Sequence, residues 1–131
     1  MQAMEMRQKK VMIVDDEDFM YRLLEIALSP FYQLSYAKSG NEALQLVLQD
    51  QPDLVMMDIC MPGLDGLDTC RLLKNAPETG HIPILIMSGL DTPRDEVTAL
   101  DAGADAFISK PITVKQVQLL VDDLLCTAAH K

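Results

Sequence analysis

Three uninterrupted apolar runs stand out along the chain, at residues 11–14, 54–57 and 84–87. Each run ends in a polar residue, which is typical of a strand buried on both faces of a sheet. Two weaker segments predict the remaining strands, a short one at 34–37 and the last one at 104–109. The third strand should stop at Asp58, because the turn-forming residues 62–66 behind it suit neither a strand nor a helix.

The segments between these strands carry apolar residues at helical spacing. In the first helix, predicted to end near Pro30, the residues at this spacing are Phe19, Leu23, Ile26 and Ala27. In the second helix, the face is formed by Ala43, Leu44, Val47 and Leu48. Ser39 with Glu42, and Thr113 with Gln116, are capping boxes that open the second and fifth helices. Five helices are therefore predicted, alternating with the five strands.

Strict alternation of strands and helices predicts an α/β fold with a parallel sheet and helices on both faces. Right-handed crossovers leave few topologies, and the five-stranded, flavodoxin-like order 2-1-3-4-5 fits this sequence best. A length of 131 residues suits a single domain. We expect the domain to span residues 9–127, with an N-terminal extension at 1–8 and a C-terminal tail at 128–131.

Charge and cysteine content narrow the class of protein further. A formal net charge of −9 argues against direct binding to nucleic acid or to an anionic membrane surface. Cys60, Cys70 and Cys126 form no C-x-x-C pair, which suggests neither a disulfide framework nor a zinc site and fits a reducing compartment. The chain shows no signal peptide and no apolar run near the ~18 residues of a membrane span. We therefore expect a cytoplasmic protein.

Polar residues suited to chemistry follow four of the five strands. Asp15 and Asp16 follow the first strand, Asp58 ends the third, Ser88 ends the fourth and Lys110 follows the fifth. In the order 2-1-3-4-5 the first and third strands are neighbours, and open α/β sheets bind ligands at such a point. The five side chains should therefore converge on one rim of the sheet.

Clustered carboxylates predict a divalent cation. Two carboxylates ~4 Å apart repel each other by about 4 kcal/mol at an effective dielectric constant of 20. Mg²⁺, with Mn²⁺ as an alternative ion, would relieve this repulsion and suits a site with few carboxylates and a phosphoryl ligand. Asp58 could then act as a nucleophile, while Lys110 neutralises and Ser88 hydrogen-bonds phosphoryl oxygens.

Each of these residues alone is equally well explained as a turn or helix-cap residue. Their joint placement at the strand ends is what favours a functional site.

Four segments, residues 14–16, 57–66, 87–89 and 109–111, resemble the motifs of the receiver domains of two-component response regulators. The resemblance extends in order and spacing from about Lys9 to Cys126. It implies that Asp58 accepts a phosphoryl group from a sensor histidine kinase or a histidine phosphotransfer protein. It also implies that the surface formed by the fourth helix, fifth strand and fifth helix controls a downstream output domain or protein.

The resemblance assigns a role to each site residue. Asp16 and Asp58 would ligate Mg²⁺ together with the backbone carbonyl of Cys60, and Asp15 would act mainly through bound water. Lys110 would contact the phosphoryl group, Ser88 would move toward it, and the bond from Lys110 to Pro111 would be cis. The only reactions expected are self-phosphorylation and self-dephosphorylation, in a monomer or a weak phosphorylation-dependent dimer.

Three positions distinguish this chain within the family it resembles. Phe107 stands where a tyrosine is common, so that a switch at this position must work by packing rather than by hydrogen bonding. Cys60 and Leu90 lie two residues after Asp58 and Ser88, where the family tunes the lifetime of the phosphoryl group. Because neither side chain holds a water molecule well, we expect slow loss of phosphate.

Other classes of protein fit the sequence less well. A haloacid-dehalogenase-type phosphatase needs a second acid where Cys60 stands. A P-loop nucleotidase needs the motif G-x-x-x-x-G-K-[ST], which no glycine here begins. A flavin carrier needs a phosphate-binding loop where the acidic residues 15–18 would repel phosphate. A pseudo-receiver that only binds partners is disfavoured because the full set of site residues is present.

Overall fold

A computed structural model describes residues 8–59, 66–89 and 93–129, in which five strands alternate with five helices. The strands are β1 (Lys10–Val14), β2 (Gln33–Ala37), β3 (Leu54–Asp58), β4 (Ile84–Ser88) and β5 (Ala106–Ser109). The helices are α1 (Asp18–Leu28), α2 (Gly40–Asp50), α3 (Gly66–Asn75), α4 (Pro93–Asp101) and α5 (Val114–Ala129). The predicted alternation of strands and helices is confirmed.

All five strands are parallel and follow the order β2-β1-β3-β4-β5. This confirms the predicted flavodoxin-like topology. The three uninterrupted apolar runs form β1, β3 and β4, which occupy the centre of the sheet, where both faces are buried.

Helices cover both faces of the sheet, as predicted. Alternate residues of each central strand point to opposite faces, so that Val55 and Met57 join one cluster while Leu54 and Met56 join the other. The first cluster includes buried residues of α2, α3 and α4. The second includes buried residues of α1 and α5, which pack beside each other.

The predicted inward face of α1 is right at Ala27, which is buried, but wrong at Phe19 and Ile26. Phe19 is 77% exposed and Ile26 is 69% exposed, while Leu23 is only partly buried. The residues that face the core are Met20, Leu24, Ala27 and Leu28. Both sets recur at helical spacing, so the sequence of α1 contains two apolar stripes, and only the contact of the helix with the sheet and α5 selects one.

Two smaller differences concern other elements. Leu48, predicted on the inner face of α2, is 54% exposed. The last strand begins at Ala106 rather than at Ala104, because the Ala104 N–H still donates to the Ala99 carbonyl of α4. Gly103 permits this helix ending, since its φ of +102° lies in the region that favours glycine.

Both predicted capping boxes supply hydrogen bonds at helix starts. Ser39 Oγ accepts from the Glu42 N–H at 3.1 Å, and Glu42 Oε1 accepts from the Lys38 N–H at 2.6 Å. At α5, Thr113 Oγ1 accepts from the Gln116 N–H at 3.1 Å, and Gln116 Oε1 accepts from the Thr113 N–H at 3.1 Å. The amides of Glu42 and Gln116 are among those that an uncapped helix leaves unpaired. None of the helices in the described ranges is long and apolar enough to cross a membrane.

The two stripes of α1 can be separated by a pair of alanine substitutions. Leu24→Ala should lower the free energy of unfolding by about 2–5 kcal/mol, because it empties a fully buried site. Ile26→Ala should change it by less than about 0.5 kcal/mol, because the side chain is exposed. Urea unfolding of both variants measures the difference. Equal losses would show that the exposed stripe also contributes to the core.

Candidate functional site

The carboxyl ends of four strands carry the predicted site residues. Asp15 directly follows β1, Asp58 and Ser88 are the last residues of β3 and β4, and Lys110 directly follows β5. Parallel pairing places these ends side by side, with Asp58 opposite Met87 in the ladder between β3 and β4. The five-residue set therefore occupies one rim of the sheet, with Asp16 beside Asp15.

Three carboxylates meet at this rim. Asp15, Asp16 and Asp58 each offer an oxygen atom, and these oxygens lie within 4.8 Å of one another. Asp15 and Asp58 are buried, with exposures of 0% and 3%, whereas Asp16 is exposed. The cluster thus has two buried members and one member open to solvent.

Asp15 has one oxygen that is held by the backbone and one that is not. The Glu17 N–H donates to Asp15 Oδ1 at 2.9 Å, a turn that forms locally when an aspartate precedes a helix. Asp15 Oδ2 accepts no hydrogen bond from any described residue, and Lys110 Nζ lies 3.8 Å from it. Burial raises the pKa of Asp15 to about 6 and outweighs the Glu17 N–H, which lowers it, while the nearby Asp58 raises it further.

Lys110 supplies the positive charge of the site. Its Nζ donates to Asp58 Oδ2 at 3.2 Å, and the Lys110 N–H donates to the Ser88 carbonyl at 2.7 Å. Burial lowers the pKa of Lys110, but the charges of Asp58 and then Asp15 raise it above its ordinary value. The side chain therefore carries its charge at neutral pH. The peptide bond from Lys110 to Pro111 is cis, as the resemblance implied.

Ser88 and Phe107 lie on the same face of the sheet. Phe107 is paired with Ile86 in the ladder between β4 and β5, and Ser88 follows Ile86 by two residues. The Ser88 side chain is fully buried, whereas Phe107 is half-buried against the cluster that includes Ile86. The serine and the aromatic ring are therefore neighbouring elements of one surface of the sheet.

Cys60 and Leu90 lie outside the described residues, so their predicted roles are carried by the sequence alone. Sequence reasoning missed one feature that the structure adds, the close approach of Gly66 to the backbone of Asp58 and Ile59. The sequence places Gly66 in a turn-forming stretch, but no pattern along the chain reveals which backbone atoms lie opposite it.

The chain combines a doubly wound α/β fold with an acidic pocket and a lysine at the carboxyl ends of the strands. A family model described as the response regulator receiver domain matches residues 11–122. The chain belongs to this family, which confirms the resemblance carried by the four sequence segments.

Named relatives share this domain over part of their length. The response regulator PleD of Caulobacter vibrioides is 36% identical over an alignment of 126 residues that covers 88% of this chain and 28% of that protein. The response regulator MprA of Mycolicibacterium vanbaalenii is 37% identical over an alignment of 109 residues that covers 82% of this chain and 46% of that protein. The chain thus spans less than half of the length of either relative.

Solved structures share the fold over nearly the whole chain. A crystal structure from Chloroflexus aurantiacus J-10-fl has a TM-score of 0.88 and 30% sequence identity, and the match covers 92% of this chain and 99% of that one. The receiver domain of a signal transduction histidine kinase from Syntrophus aciditrophicus has a TM-score of 0.84 and 34% identity, and the match covers 91% of each chain.

The raised pKa of Asp15 predicts how metal-free stability depends on pH. An acid whose pKa is higher in the folded protein binds its proton more tightly there, so the contribution of Asp15 to the free energy of unfolding falls as pH rises from about 4 to about 6. Asp15→Asn keeps an oxygen for the Glu17 N–H and removes the charge. In EDTA the variant should be more stable than the wild type at pH 7, and the difference should shrink toward pH 4. Urea unfolding of both proteins between pH 4 and pH 7 measures this difference in the free energy of unfolding. A difference that does not change with pH would rule out a raised pKa at Asp15.

Proposed function

We propose that this domain accepts a phosphoryl group on Asp58 from a sensor histidine kinase or a histidine phosphotransfer protein. The observation that carries the proposal is the surroundings of the Asp58 carboxylate at the sheet rim. Lys110 Nζ lies 3.2 Å from it, and oxygens of two further carboxylates lie within 4.8 Å. One nucleophile, one fixed cation and an acidic cluster are the parts that phosphoryl transfer to an aspartate requires.

In the proposed reaction an oxygen of Asp58 attacks the phosphorus atom of a phosphohistidine. The new P–O bond forms as the P–N bond breaks, and the bonding electron pair leaves with the imidazole nitrogen. Lys110, which is already paired with Asp58, would neutralise a phosphoryl oxygen. The Ser88 hydroxyl group would donate a hydrogen bond to another phosphoryl oxygen. The product is a mixed anhydride of phosphate and the Asp58 carboxyl group.

The acidic cluster fits Mg²⁺. The oxygen atoms that the cluster offers to a metal ion are all carboxylate oxygens, which hard cations prefer as ligands. The buried Asp15 Oδ2 receives no hydrogen bond from the described residues, so it could accept one from a water molecule bound to the ion. Asp16 and Asp58, with the backbone carbonyl of Cys60, would hold the ion, and Asp15 would act through bound water. When bound, Mg²⁺ offsets negative charge on the phosphoryl group and the carboxylates.

The proposed switch uses Ser88 and Phe107. A phosphoryl group brings about −1.5 to −2 units of charge and new acceptor oxygens, which would draw the Ser88 hydroxyl toward it. The half-buried Phe107 ring has no polar atom that favours solvent, so it would move into the vacated space. This is a shift between existing states that would remodel the surface of α4, β5 and α5.

Partners and context follow from the same proposal. The α4-β5-α5 surface would control a downstream output domain or protein, and the receiver unit would span residues 9–127 of a cytoplasmic protein. The domain would be a monomer or a weak phosphorylation-dependent dimer, with no direct contact to nucleic acid. The slow loss of phosphate expected from Cys60 and Leu90 stays a prediction of the sequence.

The first test is phosphorylation by a small-molecule donor. With acetyl phosphate and Mg²⁺ the wild type should gain one phosphoryl group by mass spectrometry. Asp58→Asn should gain none, because it keeps the shape but removes the nucleophile. Asp123→Asn, on the exposed surface of α5, serves as the matched control and should react like the wild type. Undiminished labelling of Asp58→Asn would overturn the assignment.

The second test concerns Phe107. Fluoroberyllate with Mg²⁺ mimics the phosphoryl group, and it should shift the backbone amide signals of residues 106–108 in nuclear magnetic resonance spectra. Phe107→Tyr should still be phosphorylated, but its amides should respond differently, because a phenolic hydroxyl favours a position in contact with water. Identical spectra with and without the mimic around Phe107 would contradict the proposed switch.

A further inference from the structure

We propose that Gly66 is a positioning residue for the site. Its missing side chain lets the first turn of α3 lie directly against the peptide that joins Asp58 to Ile59. This contact then sets where the Asp58 carboxylate is held. The inference rests on the proposed function for its phosphorylation and Mg²⁺ readouts, but not for its amide shifts in the metal-free protein.

The space at Gly66 is closed by backbone atoms. A Cβ atom added there would lie 2.7 Å from Ile59 Cα and 3.0 Å from the Asp58 carbonyl carbon, and closer still to the Asp58 carbonyl oxygen. Non-bonded carbon atoms prefer separations of about 3.5–4.0 Å. Because all of these neighbours belong to the main chain, no side-chain rotation relieves the overlap.

Conformation is not the reason for a glycine at this position. Gly103 is the glycine with a positive φ in the described part of the chain, whereas Gly66 is the first residue of α3. Alanine is a better helix former than glycine, so the helix itself would accept a side chain there. The requirement for glycine therefore comes from the neighbouring strand end.

The helix cannot easily move away from the strand. At its far end, Lys74 Nζ donates to the Ile82 carbonyl and to Asp105 Oδ2, each at 3.1 Å. Asp105 Oδ2 also accepts from the Ile84 N–H at 2.8 Å, so α3 is tied to the starts of β4 and β5. Along its length, Thr69, Cys70 and Leu73 are buried against the rest of the domain.

The strand side of the contact is the part that would have to move. The same peptide that faces Gly66 carries the Ile59 N–H, which donates to the Met87 carbonyl at 3.2 Å. A side chain at position 66 would push this peptide, lengthen that hydrogen bond and displace the Asp58 carboxylate from Lys110. Asp58, a proposed Mg²⁺ ligand, belongs to the displaced peptide.

The test compares Gly66→Ala with Gly80→Ala. A Cβ at Gly80 would also meet backbone oxygens, 3.0 Å from Lys74 O and 3.1 Å from Ala76 O, but at the end of α3 remote from the site. Both variants should lose stability in urea unfolding. Gly66→Ala alone should raise the Kd for Mg²⁺, measured by calorimetry, by roughly tenfold or more, as loss of supporting contacts around metal ligands does.

Two further readouts separate positioning from folding. In the metal-free protein, Gly66→Ala should shift the backbone amide signals of Asp58, Ile59 and Lys110, whereas Gly80→Ala should not. With acetyl phosphate, Gly66→Ala should need more Mg²⁺ for half-maximal labelling. If either variant unfolds in buffer, sucrose is added to all samples, since excluded osmolytes favour the compact state.

The experiment separates failure of the inference about Gly66 from failure of the proposed phosphorylation of Asp58. A wild-type Kd for Mg²⁺ and unshifted amides in Gly66→Ala would overturn the inference, as would equal effects of Gly80→Ala on Mg²⁺ binding. If the wild type gains no phosphoryl group at Asp58, the proposed function fails. The amide shifts in the metal-free protein then still decide whether Gly66 positions this peptide.

Discussion

The charge cluster at the sheet rim is the interaction on which the site depends. Three carboxylates meet one ammonium there, so that Lys110 compensates only part of the negative charge, and the buried Asp15 Oδ2 lacks a hydrogen-bond donor among the described residues. A fold tolerates such a cluster only where other contacts hold it in place, because repulsion between buried carboxylates opposes their approach. This repulsion is what makes the rim a candidate site for a cation.

The sheet supplies the contacts that hold the cluster. Every residue of β3 and β4 is buried, and parallel pairing aligns Asp58 with Met87 at their ends. Helices on both faces close the core, and α3 adds a direct contact between Gly66 and the Asp58–Ile59 peptide. The position of the Asp58 carboxylate therefore results from the ladder on one side and a helix end on the other.

Much of this arrangement could be predicted from the residues alone. Apolar runs of four residues bounded by polar residues favour strands that are buried on both faces of a sheet, and the alternation with helices then leaves few topologies. The candidate site followed because polar residues at strand ends share a rim in such a sheet. The face of α1 could not be predicted in the same way. Both of its apolar stripes satisfy helical spacing, and the choice depends on which stripe meets the sheet and α5.

The sequence by itself determined the strand and helix alternation, the strand order, the capped helix starts and the identity of the charged residues at the rim. These depend on local periodicity and on rules of chain connection, which act between residues close in the chain. Only the tertiary structure decided that Asp15 Oδ2 is buried without a hydrogen-bond donor among the described residues, that Phe19 and Ile26 face solvent, and that Gly66 abuts Ile59. Each of these depends on distances between atoms that belong to separate elements, and no periodicity along the chain encodes such distances.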